Sequence, residues 1–454
     1  MNTENSPISL LNNWIKSSVT LKMVIITIIS LVLLIPSTMI YNIIQERESL
    51  NREAVYEVSA KWAGRQQLTG PVLTIPATYQ STENGETKFY TRYLNILPEE
   101  LHAEGSIQPE KLRRGIYEVV VYKSKLAFSG NFLIRPKIDQ NYLHQIRYDE
   151  AFLTFGISDL RGIEEQIGFN WGGGTLEVEP GAKAGSLFQS GITMAVPGLE
   201  AALEGSIPFS FDLSLQGSQN ISFVPLGSIT TVDIRSDWTS PSFNGSFLPD
   251  QREISDAGFQ AHWKVLQLNR NFPQSWMDNG PAEAVNNAAF GVDLLLPLDD
   301  YQKSMRSVKY GIMTIALTFL TFFLIEILNK KKIHPFQYIL VGLALCLFYI
   351  LLVSISEHTN FNAAFMVSAS AVVSMITLYS ATIFKRKKLT VLLLVVLSGV
   401  YGFLFVTLQM ADYALLLGSL GLTLILATTM YFTRNINWYN VNSDPETDKS
   451  PAQK

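Results

Sequence analysis

The pattern of apolar and polar positions divides the chain into an apolar start, a long alternating middle and an apolar end. From Leu21 to about Ile44 the run LKMVIITIISLVLLIPSTMIYNII supplies roughly 20 mostly apolar residues, enough to cross a hydrocarbon core at about 1.5 Å per residue. A cleaved signal peptide is the competing reading. The apolar stretch is longer than a typical signal core, and no small-x-small cleavage pattern follows it before Glu46, Arg47 and Glu48, so an uncleaved anchor is favoured. Five further spans are predicted only after this long interval: Tyr310 to Leu328, Phe336 to Ser354, Ala363 to Phe384, Leu389 to Leu408 and Tyr413 to Phe432.

The intervening residues 45–309 are too many for a loop, and their patterning has period two. In Ile207 to Gln216 one face receives Ile207, Phe209, Phe211, Leu213 and Leu215, and the other receives Ser210, Asp212, Ser214 and Gln216. Gly258 to Val265 repeats the alternation with Phe259, Ala261, Trp263 and Val265 facing inward. Further strands are expected from Val72, Thr87 and Gly115, with Asn84-Gly85 as a hairpin turn before the second. Helices are few here, the stretch Pro281 to Ala289 being the best candidate. The fold class that follows is an α+β membrane protein. A large antiparallel β-sandwich-type domain stands on one N-terminal transmembrane helix, and a five-helix C-terminal transmembrane bundle follows it.

Loop charges orient this scheme. Lys330 to Lys332 and Lys385 to Lys388 form two basic loops that alternate with loops lacking Lys and Arg, so both belong in the cytoplasm. Counting spans back places residues 1–20 and 433–454 inside and residues 45–309 outside. Lys303, Arg306 and Lys309 nearly balance Lys330 to Lys332 across the second span, so the Lys385 to Lys388 loop decides the orientation.

Composition narrows the function classes. The chain of 454 residues is 47% hydrophobic with a mean hydropathy of +0.17, values that suit alternating soluble and membrane parts. A formal net charge of −4 gives no support for nucleic-acid binding. The single cysteine, Cys346, lies in an apolar run, so neither a disulfide framework nor a thiolate metal site can form within one chain. His102, His144, His262, His334 and His358 are too scattered to suggest a metal cluster, and no cofactor is called for.

Catalytic signatures are missing as well. There is no G-x-S-x-G, S-x-x-K, H-E-x-x-H or G-x-x-x-x-G-K-[ST], so the sharp form of an enzyme claim is lost. Gly172 to Gly174 read as a tight turn rather than an anion nest. Glu326 is costly at membrane depth, but it lies four residues before Lys330, where pairing or snorkelling explains it. Glu357 and His358 lie at the outer mouth of the third span and Asp412 at that of the fifth. They can share one polar surface, although interfacial loop residues are the plainer reading. Ser236 to Trp263 packs Trp238, Phe243 and Phe247 with prolines and glycines into a segment expected to hold itself together as an Ω-loop does. It serves either as a structural plug or as a recognition surface.

These residues carry a resemblance distributed along the chain. GPVLTIP at Gly70 to Pro76, ISDLRGI at Ile157 to Ile163 and the Ser236 to Trp263 segment belong to it. So do KYGIMTIALTFLTFF from Lys309, His334 to His358, DYALLLGSLGL from Asp412 and TRNINWY from Thr433. Together they resemble the CreD family of inner membrane proteins over about residues 20 to 440. The resemblance implies an inner-membrane protein of Gram-negative bacteria with a periplasmic domain, associated with envelope integrity and with two-component responses to envelope stress and β-lactams. It supplies no catalytic residues. The missing S-x-x-K argues that any link to β-lactams is indirect. The tail from Asn440 to Lys454 falls outside the resemblance and reads as disordered.

The leading expectation is therefore a non-enzymatic envelope protein that contacts the lipid bilayer and binds a periplasmic envelope component. Asp159, Arg161, Trp238, Phe243 and Phe247 form its candidate interaction surface. A sensor contacting an inner-membrane histidine kinase is the first alternative. A membrane enzyme or small-solute transporter using Glu326, Glu357, His358 and Asp412 is the second.

Overall fold

The computed structural model describes residues 19–83, 86–135, 142–183, 187–202, 205–294, 300–329, 333–410 and 413–434. Lys330 to Lys332, Asn84-Gly85, Asp412 and the tail from residue 435 lie outside the described residues. The chain divides into two compact units, Met1–Ser49 with Leu298–Lys454, and Leu50–Pro297.

The first helices are α1 (Val19–Val32) and α2 (Leu34–Trp62). Pro36 sits in the first turn of α2, where a missing N–H is tolerated, and the break at Leu33 falls just before it. Helix α2 overruns the apolar stretch by almost twenty residues, so the region expected to be β-rich begins as a polar helix. Its mixed charges, from Glu46 to Lys61, suit a solvated helix and include the ion pair Glu57–Lys61 at i,i+4 (2.8 Å).

Strands then follow in chain order: β1 (Gln66–Glu83), β2 (Glu86–Ile96), β3 (Glu100–Arg114), β4 (Tyr117–Leu133), β5 (Leu143–Ile146), β6 (Phe152–Ile157), β7 (Phe169–Trp171), β8 (Gly174–Leu176) and β9 (Val178–Pro180). They continue with β10 (Gly191–Ala195), β11 (Ser206–Ser218), β12 (Asn220–Phe223), β13 (Ile229–Ser236), β14 (Pro241–Gly245), β15 (Gln251–Ser255), β16 (Gly258–Leu266) and β17 (Ser275–Met277). Helix α3 (Ala282–Asn287) precedes β18 (Phe290–Leu294). One sheet has eight strands in the order β15-β16-β13-β3-β4-β11-β7-β8, and the other has ten around β14-β18-β12-β1-β6-β10-β9. Most neighbours are antiparallel, but β1 with β12 and β13 with β3 pair in parallel.

Alternation explains the core. In β11, Ile207, Phe209, Phe211, Leu213 and Leu215 are buried, and in β16 Phe259, Ala261, Trp263 and Val265 are buried, as the period-two pattern requires. Aromatic rings join the sheets across this layer. Phe155 of the ten-stranded sheet meets Phe128 and Phe211 of the other edge-on at 5.1 and 5.0 Å, and Trp263 lies 5.6 Å from Phe290. Gly172 (φ 55°) and Gly173 (φ 93°) form the tight β7–β8 turn, where both positions demand the left-handed region.

The helical unit also contains α4 (Asp300–Lys309), α5 (Gly311–Leu328), α6 (Pro335–Ser356), α7 (Phe361–Phe384), α8 (Lys387–Gln409) and α9 (Ala414–Thr433). Four of these, α5 to α8, and the N-terminal helical segment from Leu21 are long and apolar enough to cross a membrane, and α9 is a further apolar helix of 20 residues. Caps set where the spans begin. The His334 side chain accepts from Phe336 N–H (3.2 Å) and the His334 N–H donates to Gln337 (3.0 Å) ahead of Pro335, while Asn360 accepts from Ala363 N–H (2.9 Å). Phe319, Phe322, Phe348, Phe365 and Tyr401 fill the interior.

Candidate functional site

The eight-stranded sheet has an inner face in the core and an outer face that is polar, and on the outer face lies an open groove of about 1090 Å³. Strand register determines its chemistry. Across one row, Gln251 stands opposite His262, His262 opposite Asp233, Asp233 opposite Glu104, Glu104 opposite Ala127, and Ala127 opposite Asp212. Two residues along, the row reads Glu253, Gln260, Arg235, Ser106, Lys125 and Ser214. The first row concentrates carboxylates at Glu104, Asp212 and Asp233, and the second places the cations Arg235 and Lys125. A spacing of two residues separates the rows by about 7 Å. Within the acidic row the His262 Nδ1 lies 2.7 Å from Asp233 Oδ1. Parallel pairing of β13 with β3 is what sets Asp233 beside Glu104 and Arg235 beside Ser106.

This arrangement can bind a ligand that carries both signs of charge at a matching interval. Among the described residues no three His, Cys, Asp or Glu side chains stand close enough to hold a metal ion.

Asp159 and Arg161, expected on an interaction surface, are brought together instead in a brace at the end of α2. Arg161 binds both oxygens of Asp159 (Nε to Oδ1, 2.9 Å; Nη2 to Oδ2, 2.6 Å), and its Nη1 donates to the carbonyl of Ala60 in the last turn of α2. A cation there satisfies a carbonyl that the helix itself leaves unpaired. Asp159 Oδ2 also accepts from Gly64 N–H at 2.9 Å. The Arg161 guanidinium, helped by the N–H groups of Gly64 and Arg161, holds the Asp159 carboxyl down at about 2 against the opposing effect of burial.

Gln66, fully buried, ties the brace to both sheets: its Nε2 donates to the carbonyls of Asp159 and Gln216, each at 2.9 Å, and its Oε1 accepts from Asp159 N–H at 3.1 Å. Gly162 has a reason to be glycine, because a Cβ there would lie 2.3 Å from the Gln216 carbonyl.

The segment from Ser236 differs from the expected Ω-loop. It contains β14, which pairs with β18 in the ten-stranded sheet, and then crosses to β15 in the eight-stranded sheet. Its aromatics are spent on this crossing. Phe243 packs edge-on against Phe259 (5.6 Å) and Trp263 (5.7 Å), Phe247 against Phe290 (6.0 Å), and half-buried Trp238 lies beneath Lys111 at 5.7 Å.

The second predicted set does not form one cluster. Glu326, 4% exposed, accepts from Lys22 Nζ of α1 (2.5 Å), Tyr338 Oη of α6 (3.0 Å) and Ile333 N–H (3.2 Å). Glu357, at the other end of α6, lies 3.5 Å from Arg47 of α2. The 22 residues of α6 separate these carboxylates by about 30 Å. His358 is exposed beside Glu357, and Asp412 lies outside the described residues.

The helical unit thus encloses a carboxylate held by three donors, and the β unit carries the brace and the groove. The family model for the inner membrane protein CreD matches residues 18–439. The chain belongs to the CreD family. Inner membrane protein CreD of Escherichia coli (strain K12) is 34% identical over 417 residues, covering 90% of this chain and 91% of that relative. A xylose isomerase of Pseudomonas savastanoi pv. phaseolicola is 36% identical over 87 residues, 19% of this chain and 18% of that enzyme, too little of either to carry a fold or an activity. The CreD family match takes in the brace, the groove and the Glu326 cluster alike.

The groove was not singled out in the sequence. Its signal was present in the polar positions of the alternating strands, Asp212 and Ser214 among them, but the rows emerge only when six strands are set in register.

Proposed function

We propose that this CreD family member is a non-enzymatic protein of envelope integrity. Its β unit binds an envelope component at the groove, and its helices hold it in the inner membrane. The reading rests on the adjacent acidic and basic rows, which suit an extended segment bearing both amino and carboxylate groups, such as a peptide portion of an envelope polymer. On this reading residues 45–309 face the periplasm and both termini face the cytoplasm, as the Lys385 to Lys388 loop requires under the positive-inside rule. A role in responses to β-lactams is then indirect, through the state of the envelope.

The test is complementation of a deletion strain. A chain carrying Lys125→Gln, Asp212→Asn, Asp233→Asn and Arg235→Gln alters only exposed positions, so it is expected to insert and melt as the unaltered protein does. It is expected to leave the strain as sensitive to detergent and β-lactams as the deletion. Full complementation by this variant would sink the reading. Membrane-impermeant thiol labelling of single cysteines at Ser106 and Thr433 checks the orientation: Ser106 is to label in intact cells with a permeabilised outer membrane, and Thr433 only after lysis.

A further inference from the structure

Strand β2 has one edge that is only partly used. Along its other edge it pairs with β1 from Leu73↔Ile96 to Glu83↔Glu86. Along the first edge β17 covers Leu94 to Ile96, and then Asp278 closes the pairing: its N–H donates to Tyr93 O (2.7 Å) and its Oδ1 accepts from Tyr93 N–H (2.9 Å). Leu97 N–H, reaching Gln274 O at 3.0 Å, has the same parity as Tyr93. Odd-numbered residues therefore turn their N–H and C=O groups away from β1, as alternation in an antiparallel ladder dictates. Beyond Asp278, no described strand pairs with this edge at Thr87, Phe89 and Thr91.

Proteins blunt such edges with charge, and β2 does carry Glu86, Lys88 and Arg92. Glu86 and Arg92 lie three residues to either side of Phe89, Arg92 also pairing with Asp278 of its own chain at 2.6 Å. If a second β2 is laid antiparallel against the first with a two-fold axis at Phe89, every rung is complementary. Phe89 faces its own equivalent, Thr87 faces Thr91, Lys88 faces Tyr90, and Glu86 faces Arg92. These are aromatic, hydroxyl, cation–ring and opposite-charge pairs, the cross-strand pairs that stabilise sheets. The rung at Phe89 is the hydrogen-bonded kind that the outward parity of odd residues requires. Phe89 and Tyr90 meet the rings of His144 (4.8 Å) and Tyr79 (5.8 Å) in their own chain yet remain 56% and 46% exposed, high for aromatics, and sit at the centre of the match. A one-residue slip would place Glu86 opposite Thr91 or Tyr93 and lose the charge pair, so the register is specified.

We propose that two copies of this chain pair edge to edge through β2, joining their ten-stranded sheets into one across a two-fold axis at Phe89. Isologous contacts of this kind are self-complementary by construction. Anchorage of both copies in one bilayer raises their effective concentration, so a short ribbon of contacts suffices.

The test uses full-length protein in native membranes, in a Cys346→Ala background that removes the sole cysteine. Across the proposed axis the two Phe89 Cα atoms stand about 5.5 Å apart, within disulfide range. The two Thr87 Cα atoms are offset by four residues, about 14 Å, well outside it. On oxidation Phe89→Cys is expected to give a disulfide-linked dimer, whereas Thr87→Cys and Thr91→Cys are each expected to stay monomeric alone and to crosslink when expressed together. Adding Phe89→Asp to that mixed pair sets two carboxylates face to face and is expected to cut its crosslinking at least tenfold. Failure of Phe89→Cys to dimerise overturns the proposal. So does equal dimerisation of all three single-cysteine chains, capture of a different polypeptide at Phe89→Cys in place of a second copy, or indifference of the mixed pair to Phe89→Asp.

Discussion

In the β unit, Phe128, Phe155, Phe211 and Trp263 meet between two sheets while charged rows face outward. In the helical unit, Leu378 and Leu424 are each 71% exposed while the Glu326 carboxylate is enclosed. The same residue types are thus distributed in opposite senses by two units of one chain. Water around the β unit makes apolar burial the driving force and leaves charge cheap at the surface. In hydrocarbon the apolar surface costs nothing to leave outside, and what must be satisfied is each polar group within. Polar residues consequently carry different meanings: in the β unit an exposed charge is a candidate for recognition, whereas in the bundle a buried charge is first a matter of pairing.

The largest expected effect breaks the apolar side of this contrast. Trp263→Ala removes a fully buried ring that touches Phe243 and Phe290 and is expected to destabilise the β unit by about 3–5 kcal/mol. Denaturant unfolding of the full chain in detergent, followed by tryptophan fluorescence and by helical circular dichroism, should show the loss in the β-sheet signal with the helical transition little moved. Next comes the polar side. Lys22→Met leaves Glu326 enclosed without its cation and is expected to cost about 3 kcal/mol in the bundle, most of it recovered in the double variant Lys22→Met, Glu326→Gln. Thermal melts of the three chains check this, and a Lys22→Met protein that melts as the unaltered one does would show the carboxylate to be solvated.

A smaller effect concerns the brace. Asp159 is held down at about 2 against an ordinary value of 3.8, so its contribution is complete above pH 4 and is lost as pH falls through about 2. Unfolding of the β unit followed from pH 5 to pH 2 should therefore steepen toward the acid end. Asp159→Asn should lose about 1–2 kcal/mol at pH 7 and flatten that part of the profile. The smallest effect is at the groove: His262→Gln, at a solvent-accessible hydrogen bond with Asp233, should change stability by no more than about 0.5 kcal/mol. A groove residue whose replacement cost several kcal/mol would belong to the scaffold and not to a binding face.

Much of this contrast was legible before any coordinates. The alternation from Ile207 to Leu215 predicted which side chains of β11 are buried, whereas the apolar run ending near Ile44 gave no sign that α2 continues to Trp62. What escaped depended on partners distant in sequence. Lys330 offered Glu326 a neighbour four residues away, yet Lys22, 304 positions earlier, holds it. Asp159 and Arg161 suggested only an interaction surface because Ala60, Gly64 and Gln66, which engage them in the brace, lie on a helix end and a strand start about 95 positions away. The Ser236 segment looked like a loop because β14 is five residues long and opens with a proline, which cannot donate to a ladder. The two charged rows depend on the register of six strands, including a parallel pairing that no local pattern announces.

The central claim is that the charged outer face of the eight-stranded sheet is where this protein meets the envelope. Photoreactive residues introduced at Ser106 and Gln260, which line the groove, and at Leu248, exposed and outside it, test this in living cells. The account predicts adducts to one envelope component from Ser106 and Gln260, lost on adding Asp233→Asn and Arg235→Gln, with none from Leu248. Adducts from Leu248 alone, or groove adducts indifferent to those two substitutions, would contradict it.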